Sequence, residues 1–192
     1  MTITIHNQLA LRVGQMVAPK PTHTTVYRNI KLEPNGSIIA TDGYRLWIAP
    51  GVHDWTGDGP DDSLLLRFTE RIPKSKPPGV IDLDAGIYKM DGKAISVEEK
   101  IGATFPDHHR ILPRTPAVVT STRTVIDPLR VCDIMTELRA DKPTMTYWRT
   151  EHGELFGASY EHDVGTLWVA ALTLVGDELR KVEADVKAEV MR

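Results

Sequence analysis

The chain has 192 residues, of which 41% are hydrophobic and 26% are charged, and its formal net charge is −3. This composition predicts one or two globular domains and excludes a chain that is disordered throughout. The single cysteine, Cys132, excludes an internal disulfide framework. No apolar run approaches the ~18 residues of a membrane span, and no signal-peptide pattern opens the sequence, so we expect a soluble cytoplasmic protein.

The first 50 residues are predicted to form a strand, a helix and a meander of strands. Asn7 is a suitable N-cap for a helix whose apolar residues recur near helical spacing through Val17. Asn35-Gly36 and Asp42-Gly43 are both signals for tight turns between short β-prone segments. The predicted strands of this unit are residues 2–5, 24–32, 37–40 and 44–49.

Residues 51–113 form a second predicted unit. The segment 51–62 is rich in Gly, Pro and Asp, which indicates a surface connection. Ser63 begins an apolar stretch that ends at Ile72 and fits either a short helix or a buried strand. The further predicted strands of this unit are residues 80–83, 86–90 and 94–98.

The remaining residues predict a third unit and a tail. Asp127 and Pro128 suit the start of an amphipathic helix that reaches Leu138, with Cys132 on its apolar face. Residues 176–192 predict a final helix with a narrow apolar stripe, which can pack on its own chain or on a neighbour. The predicted strands are residues 118–122, 144–149, 155–160 and 166–174. The fold class is therefore α+β, with three architecturally similar strand-helix-meander units.

Two short segments carry the most specific signal in the chain. Residues 40–46 read ATDGYRL, and residues 105–113 read FPDHHRILP. The pair resembles the "ATDGHRLA" and "FPDYRRVLP" segments of bacterial DNA polymerase III β subunits, the sliding clamps, in the same order and at comparable spacing. The departures are Tyr44 in place of histidine, and His108 and His109 where the family has an aromatic residue and an arginine.

The resemblance implies a DNA-clamp fold and a division of the chain into three parts. Residues 1–116 resemble the middle domain of the bacterial clamp, 117–175 a further clamp-like half-domain, and 176–192 an added C-terminal helix. The short length and the tail suggest a phage-type member. The implied function is that of a processivity factor, which encircles double-stranded DNA as a homo-oligomer without reading its sequence and has neither catalysis nor a cofactor of its own. Its partners would be a DNA polymerase and a clamp loader.

Two sets of residues follow from the resemblance. In the family, a hydrophobic cleft accepts short linear peptides from polymerases and the clamp loader. The positions carried over to this cleft are Thr41, Gly43, Tyr44, Arg45, Leu46, Pro106 and Ile111, with Val169 and Ala171 as weaker candidates for a further wall. The candidate DNA-facing residues are Arg12, Arg67, Arg71, Lys74 and Arg130. The net charge of −3 does not exclude such a ring, because only its inner wall needs to be basic.

Two other functions stay open on the sequence alone. One is a monomeric clamp mimic that competes for clamp-binding peptides without encircling DNA. The other is a metal-dependent enzyme that uses Asp107-His108-His109 or Glu161-His162-Asp163, since these side chains suit zinc or manganese. Neither run has the helical spacing of a known zinc motif, so no metal ligand is predicted.

Overall fold

A computed structural model describes residues 1–18, 28–57, 59–74, 78–100, 104–108, 112, 131–140, 144–149 and 155–170. Within them lie two helices, α1 (Gln8–Val17) and α2 (Cys132–Leu138). The strands are β1 (Thr2–Ile5), β2 (Ile30–Leu32), β3 (Ile38–Thr41), β4 (Arg45–Ala49), β5 (His53–Thr56), β6 (Leu64–Phe68), β7 (Gly79–Asp82), β8 (Ile87–Met90), β9 (Lys93–Glu99), β10 (Met145–Arg149), β11 (Leu155–His162) and β12 (Gly165–Ala170).

All the described strands belong to one antiparallel sheet. Their order is β10-β11-β12-β4-β3-β2-β6-β9-β8-β7-β1-β5. The three strands near the C-terminal end of the described chain are therefore added to the sheet beside β4, where Trp168 faces Leu46. Within the described residues, β10 and β5 each have one strand neighbour and lie at the two edges of the sheet.

Helix α1 covers the inner face of the sheet at β3 and β4. Its N-terminus is capped by Asn7, whose Oδ1 accepts a hydrogen bond of 3.0 Å from the amide of Ala10. The fully buried Trp47 of β4 donates its indole N–H to the Ala10 carbonyl at 3.0 Å. Gly14 gives the helix its close approach to Ile38 and Trp47. These contacts fix α1 against the strand that carries the candidate site.

Helix α2 packs against α1 and uses one face to do so. Ile134 and Leu138, four residues apart, are buried in the common core. Cys132 is exposed, so the prediction that it lies on the apolar face is wrong. The reason is angular, since position 132 is two residues from Ile134 and points away from the buried stripe.

The capped first helix and the central part of each described predicted strand are confirmed, although residues 28 and 29 of the predicted strand 24–32 precede β2. Two further predictions are corrected. The segment 51–62 is not merely a surface connection, because residues 53–56 form β5 and pair with β1. The run after Ser63 forms the strand β6 rather than a helix. The described part of the second unit holds the strands β5 to β9, and His108 is helical, with its carbonyl accepting from the Leu112 amide at 3.1 Å. The threefold strand-helix-meander repeat stays a prediction.

Several predictions fall outside the described residues. These are the strand at 118–122, the helix start at Asp127 and Pro128, and the C-terminal helix at 176–192. In the part of the chain that the structure does describe, neither helix has the length and apolar character needed to cross a bilayer.

Candidate peptide-binding site

The turn between β3 and β4 is held by side-chain hydrogen bonds. Thr41 Oγ1 donates to the Arg45 carbonyl at 2.7 Å and accepts from the Gly43 amide at 3.1 Å. Asp42 Oδ1 accepts from the amides of Tyr44 and Arg45 at 2.9 and 2.6 Å. Gly43 has φ +89°, a conformation that favours glycine. The Thr-Asp-Gly sequence therefore closes a rigid turn, which is the local reason for its residue types.

Arg45 is anchored rather than free. Its Nε donates to Asp42 Oδ2 at 2.8 Å, one terminal nitrogen donates to the Met16 carbonyl at 3.2 Å, and the other lies 3.5 Å from Asp133. The side chain is only 12% exposed. Arg45 thus ties the turn to the end of α1 and to α2, and it shapes the site as part of the wall.

The turn forms one side of an open depression on the outer face of the sheet. The depression is small, with a volume of about 50 Å³, and is open to solvent. Its described lining residues are Thr41, Gly43, Tyr44, Arg45, Leu46, Leu112, Trp168 and Ala170. Leu46 and Trp168 face each other across β4 and β12, and the amide of Ala170 donates to the Tyr44 carbonyl at 2.8 Å. The second half of the chain therefore completes a site that begins in the first.

The chemistry of this depression suits an apolar side chain. Leu46, Leu112, Trp168 and Ala170 offer hydrocarbon and aromatic surface, and the hydroxyl of Thr41 is already engaged within the turn. Tyr44 is 55% exposed and stands at the rim. A small apolar hollow with an exposed aromatic rim is the kind of anchor point that short peptides use.

The structure brings five predicted cleft residues together. Thr41, Gly43, Tyr44, Arg45 and Leu46 all line the depression. Pro106 is half-buried and does not line it, and Ile111 lies outside the described residues. Of the weaker candidates, Val169 is buried on the inner face and Ala171 is not described.

Four residues of the site were not predicted. Leu112 lies in the recognised FPDHHRILP segment, so the motif could have identified it as a candidate cleft residue. Asp42 lies in the recognised turn, and its role as the acceptor for that turn follows from its position two residues before Tyr44. No motif marks Trp168 or Ala170, because their place beside β4 depends on a long-range strand pairing.

The described candidate DNA-facing residues do not share one surface. Arg12 is buried, and its guanidinium bonds the Glu137 carboxylate at 2.7 Å and the Ile72 carbonyl at 3.2 Å. The prediction that Arg12 faces DNA does not fit this position, because a phosphate cannot reach a side chain enclosed between α1 and α2. Its amphipathic helix places it at the helix-helix contact instead.

The other described basic candidates are distributed over two sides of the molecule. Arg67 projects from β6 on the face opposite to Leu66 and Phe68, which pack in the core. Arg71 is exposed, and Lys74 is exposed with its Nζ 3.8 Å from Glu137. These two lie beside α1 and α2, because the Glu70 carbonyl and the Ile72 amide bond Gln15. Arg130 lies outside the described residues.

The candidate metal ligands do not assemble in the described structure. His108 is buried and Asp107 is exposed, whereas His109 is not described. Glu161 and Asp163 are exposed near the turn between β11 and β12. Across the described residues, no group of three or more His, Cys, Asp or Glu side chains is placed to hold a metal ion.

The structure is similar to several solved bacterial DNA polymerase III β subunits. For Caulobacter crescentus pol III beta the TM-score is 0.56 at 12% sequence identity, covering 94% of this chain and 68% of that chain. For the Thermotoga maritima beta subunit it is 0.54 at 10% identity, covering 93% and 66%. For the Pseudomonas aeruginosa subunit beta it is 0.54 at 11% identity, covering 91% and 67%. The chain has the sliding-clamp fold.

This likeness confirms the fold class expected from the two motifs. No protein-family model and no curated protein matches the sequence. The chain spans about two thirds of the length of the β subunits, 66% in the case of Thermotoga maritima. The match thus covers about two thirds of a β subunit, and the depression lies on the motif that first indicated the fold.

Proposed function

We propose that this chain is a sliding-clamp-like processivity factor without catalytic activity of its own. It forms a homo-oligomer around double-stranded DNA. Linear peptides of a DNA polymerase and of a clamp loader bind in the depression, and the polymerase is thereby tethered to DNA. The observation that carries the proposal is the convergence of five motif residues on one apolar depression in a chain with the sliding-clamp fold.

The peptide-binding part of the proposal is supported by the build of the depression. The turn is rigid because Asp42 and Thr41 hold its backbone, so its wall needs little ordering when a peptide binds. The described base is apolar and the rim carries an exposed aromatic ring at Tyr44. A peptide that inserts one large apolar side chain would remove this surface from water.

The homo-oligomeric part is supported by the two sheet edges. Edge strands present unpaired backbone N–H and C=O groups, which can pair with another chain. Within the described residues, β5 of one copy and β10 of the next could meet as a head-to-tail contact. A heterologous contact of this kind closes into a ring when the rotation between copies permits.

The DNA-facing part is supported by Arg71 and Lys74, which lie beside the helices and are exposed. A sliding ring needs only weak phosphate contacts, because closure rather than affinity keeps it on DNA. The alternative is a clamp mimic that binds the same peptides as a monomer. It is favoured by the burial of Arg12 and by the placement of Arg67 on the other side of the sheet, which leave fewer basic residues on one face.

A threading experiment separates the two functions without a clamp loader. The full chain at high concentration is incubated with linear duplex DNA carrying biotin at both ends, and streptavidin is then added to block the ends. We expect the blocked DNA to retain the protein through gel filtration in salt that screens phosphate contacts. DNA blocked before the protein is added, and closed circular DNA, should retain none.

The pattern of retention decides the result. Equal retention on all three DNA forms would show groove or surface binding rather than encirclement. Absence of retention on every form would contradict the ring and leave the monomeric mimic.

A further inference from the structure

The edge strand β5 carries a buried histidine. His53 begins β5 and pairs with Ile5 of β1, and its imidazole is buried on the same face of the sheet as the Ile5 side chain. Nε2 of His53 donates to the Ser37 carbonyl at 3.3 Å. Nδ1 is also buried, and within the described residues it has no hydrogen-bond partner. This arrangement suits a neutral imidazole that carries its proton on Nε2.

The surroundings of His53 do not suit a protonated imidazole. Trp55 packs edge to face on the ring with centroids 5.1 Å apart, and its indole N–H is a donor, so it cannot accept a proton from Nδ1. The charges that act on His53 are those of Asp54 and His6. Asp54 is exposed on the other face of β5, and its Oδ2 lies 2.7 Å from Nε2 of His6. Protonation of His53 would thus place a charge in a buried site without a carboxylate partner there.

The strand β5 is held from one side of the sheet. It has four residues and pairs with β1, its one strand neighbour in the described part of the chain. At its start, the amides of Val52 and His53 donate to the Gly36 carbonyl at 2.8 and 3.2 Å. Edge elements with few contacts open at a lower free energy than central strands, so β5 can detach while the rest of the sheet stays folded. In the detached strand the His53 imidazole is in water.

Acid favours the detached strand. Burial lowers the pKa of His53 in the folded chain below its ordinary value of 6.5. In water about nine-tenths of an ordinary imidazole is protonated at pH 5.5. Because the detached strand binds a proton that the attached strand resists, the ratio of detached to attached β5 should rise up to about tenfold between pH 7.5 and pH 5.5.

We propose that β5 is an acid-released edge strand: protonation of His53 at Nδ1 detaches β5 from β1 and removes the edge that a second copy of this chain would pair with. The second half of this inference rests on the proposed homo-oligomer. Pairing with a second copy requires β5 in the sheet, whereas protonation of His53 requires it detached. Protons therefore oppose assembly.

Hydrogen exchange followed by NMR tests the release of β5. Protection factors, which are corrected for the intrinsic pH dependence of exchange, are measured at pH 7.5 and pH 5.5 on the full wild-type chain and on His53→Gln. In the wild type, protection of the Val52 amide should fall up to about tenfold at pH 5.5. Glutamine can donate to the Ser37 carbonyl but does not titrate, so the variant should show no fall. The Val97 amide of β9, which donates to the Gly86 carbonyl at 2.8 Å, is the internal reference and should not change.

His6→Gln is the matched control for the second histidine beside β5. Protonation of His6 strengthens its attraction to Asp54 and so ties β5 to the residue that follows β1. This effect has the opposite sign to that of His53. His6→Gln should therefore keep the loss of Val52 protection in acid.

Light scattering after size exclusion tests the link to assembly. The wild type is loaded at a concentration at which it is partly assembled at pH 7.5. Its average molar mass should fall at pH 5.5, and that of His53→Gln should not. If His53→Gln does not fold, the comparison of Val52 with Val97 in the wild type still decides whether β5 is released.

Several results would overturn the inference, and they differ in what they say about the proposed function. An equal loss of protection at Val52 and Val97 would show unfolding of the whole chain rather than release of one strand. Loss of the acid response in His6→Gln would assign it to the pair of His6 and Asp54. Release of β5 with an unchanged molar mass would break the link to assembly. A monomer at both pH values would remove the proposed ring, and exchange at Val52 would then decide the release alone.

Discussion

Arg12 and Glu137 form an ion pair of 2.7 Å in which the side chains are 8% and 7% exposed. The pair joins α1 to α2, and the Nε of Arg12 also donates to the Ile72 carbonyl at 3.2 Å. Three separate segments of the chain thus meet at one guanidinium. The placement makes Arg12 a structural residue and predicts its mutational behaviour.

Arg12→Ala should lower the free energy of unfolding by about 3–5 kcal/mol, because it leaves the Glu137 carboxylate buried without its main partner. Urea unfolding followed by circular dichroism measures this loss. Arg71→Ala removes the same kind of side chain at an exposed position and should change stability by less than ~0.5 kcal/mol. Equal effects of the two substitutions would show that the Arg12 ion pair does not hold the helices together.

Asp42→Ala should loosen the turn that walls the depression. The carboxylate accepts from two backbone amides and from Arg45, so its loss should cost about 2 kcal/mol and speed hydrogen exchange at the amides of Tyr44 and Arg45. Exchange monitored by mass spectrometry reports on this segment. Asp84→Ala, an exposed acidic residue far along the sheet, serves as the control for charge removal. Unchanged exchange at Tyr44 and Arg45 would contradict the account of the turn.

Gly79→Ala and Gly14→Ala should have opposite effects. A Cβ at Gly79 would overlap the ring of the fully buried Tyr88, so the substitution should destabilise the chain by about 1–3 kcal/mol. A Cβ at Gly14 would make ordinary contacts of 3.5–3.6 Å inside α1, and alanine there should stabilise by about 0.5–1 kcal/mol. Thermal unfolding of both variants gives the comparison. A stabilising Gly79→Ala would mean that Tyr88 can move aside.

Burial raises the pKa of the Tyr88 phenol well above its ordinary value. Its hydroxyl has no hydrogen-bond partner within the described residues. Tyr88→Phe should therefore leave stability within ~1 kcal/mol of the wild type, since no hydrogen bond is lost. A large loss of stability in urea unfolding would show that the hydroxyl does have a partner.

His53 should make the fold less stable in acid. The side chain is 1% exposed, and this burial lowers its pKa below the ordinary value of 6.5. The Ser37 carbonyl and Asp54 raise the pKa but do not offset the burial, and nearby His6 lowers it further. The imidazole of His53 therefore binds a proton more readily in the unfolded chain than in the folded chain. Stability should fall as the pH drops below about 6.5. Between pH 8 and pH 5 the free energy of unfolding should fall more steeply with decreasing pH in the wild type than in His53→Gln. Parallel curves would contradict this assignment.

Local sequence signals predicted the parts of the fold that depend on local chemistry. Asn7 is the expected cap of α1, and Gly36 and Gly43 have the positive φ expected of glycines in the Asn35-Gly36 and Asp42-Gly43 turns. The strand β5 was missed because its four residues, HDWT, lack an apolar alternation and lie at a sheet edge. Its partner β1 is about fifty positions away, so no local pattern reports the pairing.

The candidate site also has a part that the sequence predicts and a part that depends on tertiary structure. The Thr41-to-Leu46 wall could be predicted because it is one contiguous motif that resembles a segment of the sliding clamps. Trp168 and Ala170 could not, because β12 reaches β4 only through tertiary pairing. Arg12 was misassigned for a related reason, since helical periodicity identifies the polar side of α1 but not that α2 presents Glu137 to it.

The measurement that tests the central claim most directly is the molar mass of the full chain by light scattering after size exclusion, over a range of concentrations. The account predicts a closed homo-oligomer, with a molar mass that is a fixed multiple of the mass of one chain. Thr56→Lys on the edge strand β5 should shift it toward monomer, whereas Ala94→Lys on β9, which lies inside the strand order rather than at an edge, should not. A monomer at every concentration for the wild type would contradict the ring and favour the clamp mimic.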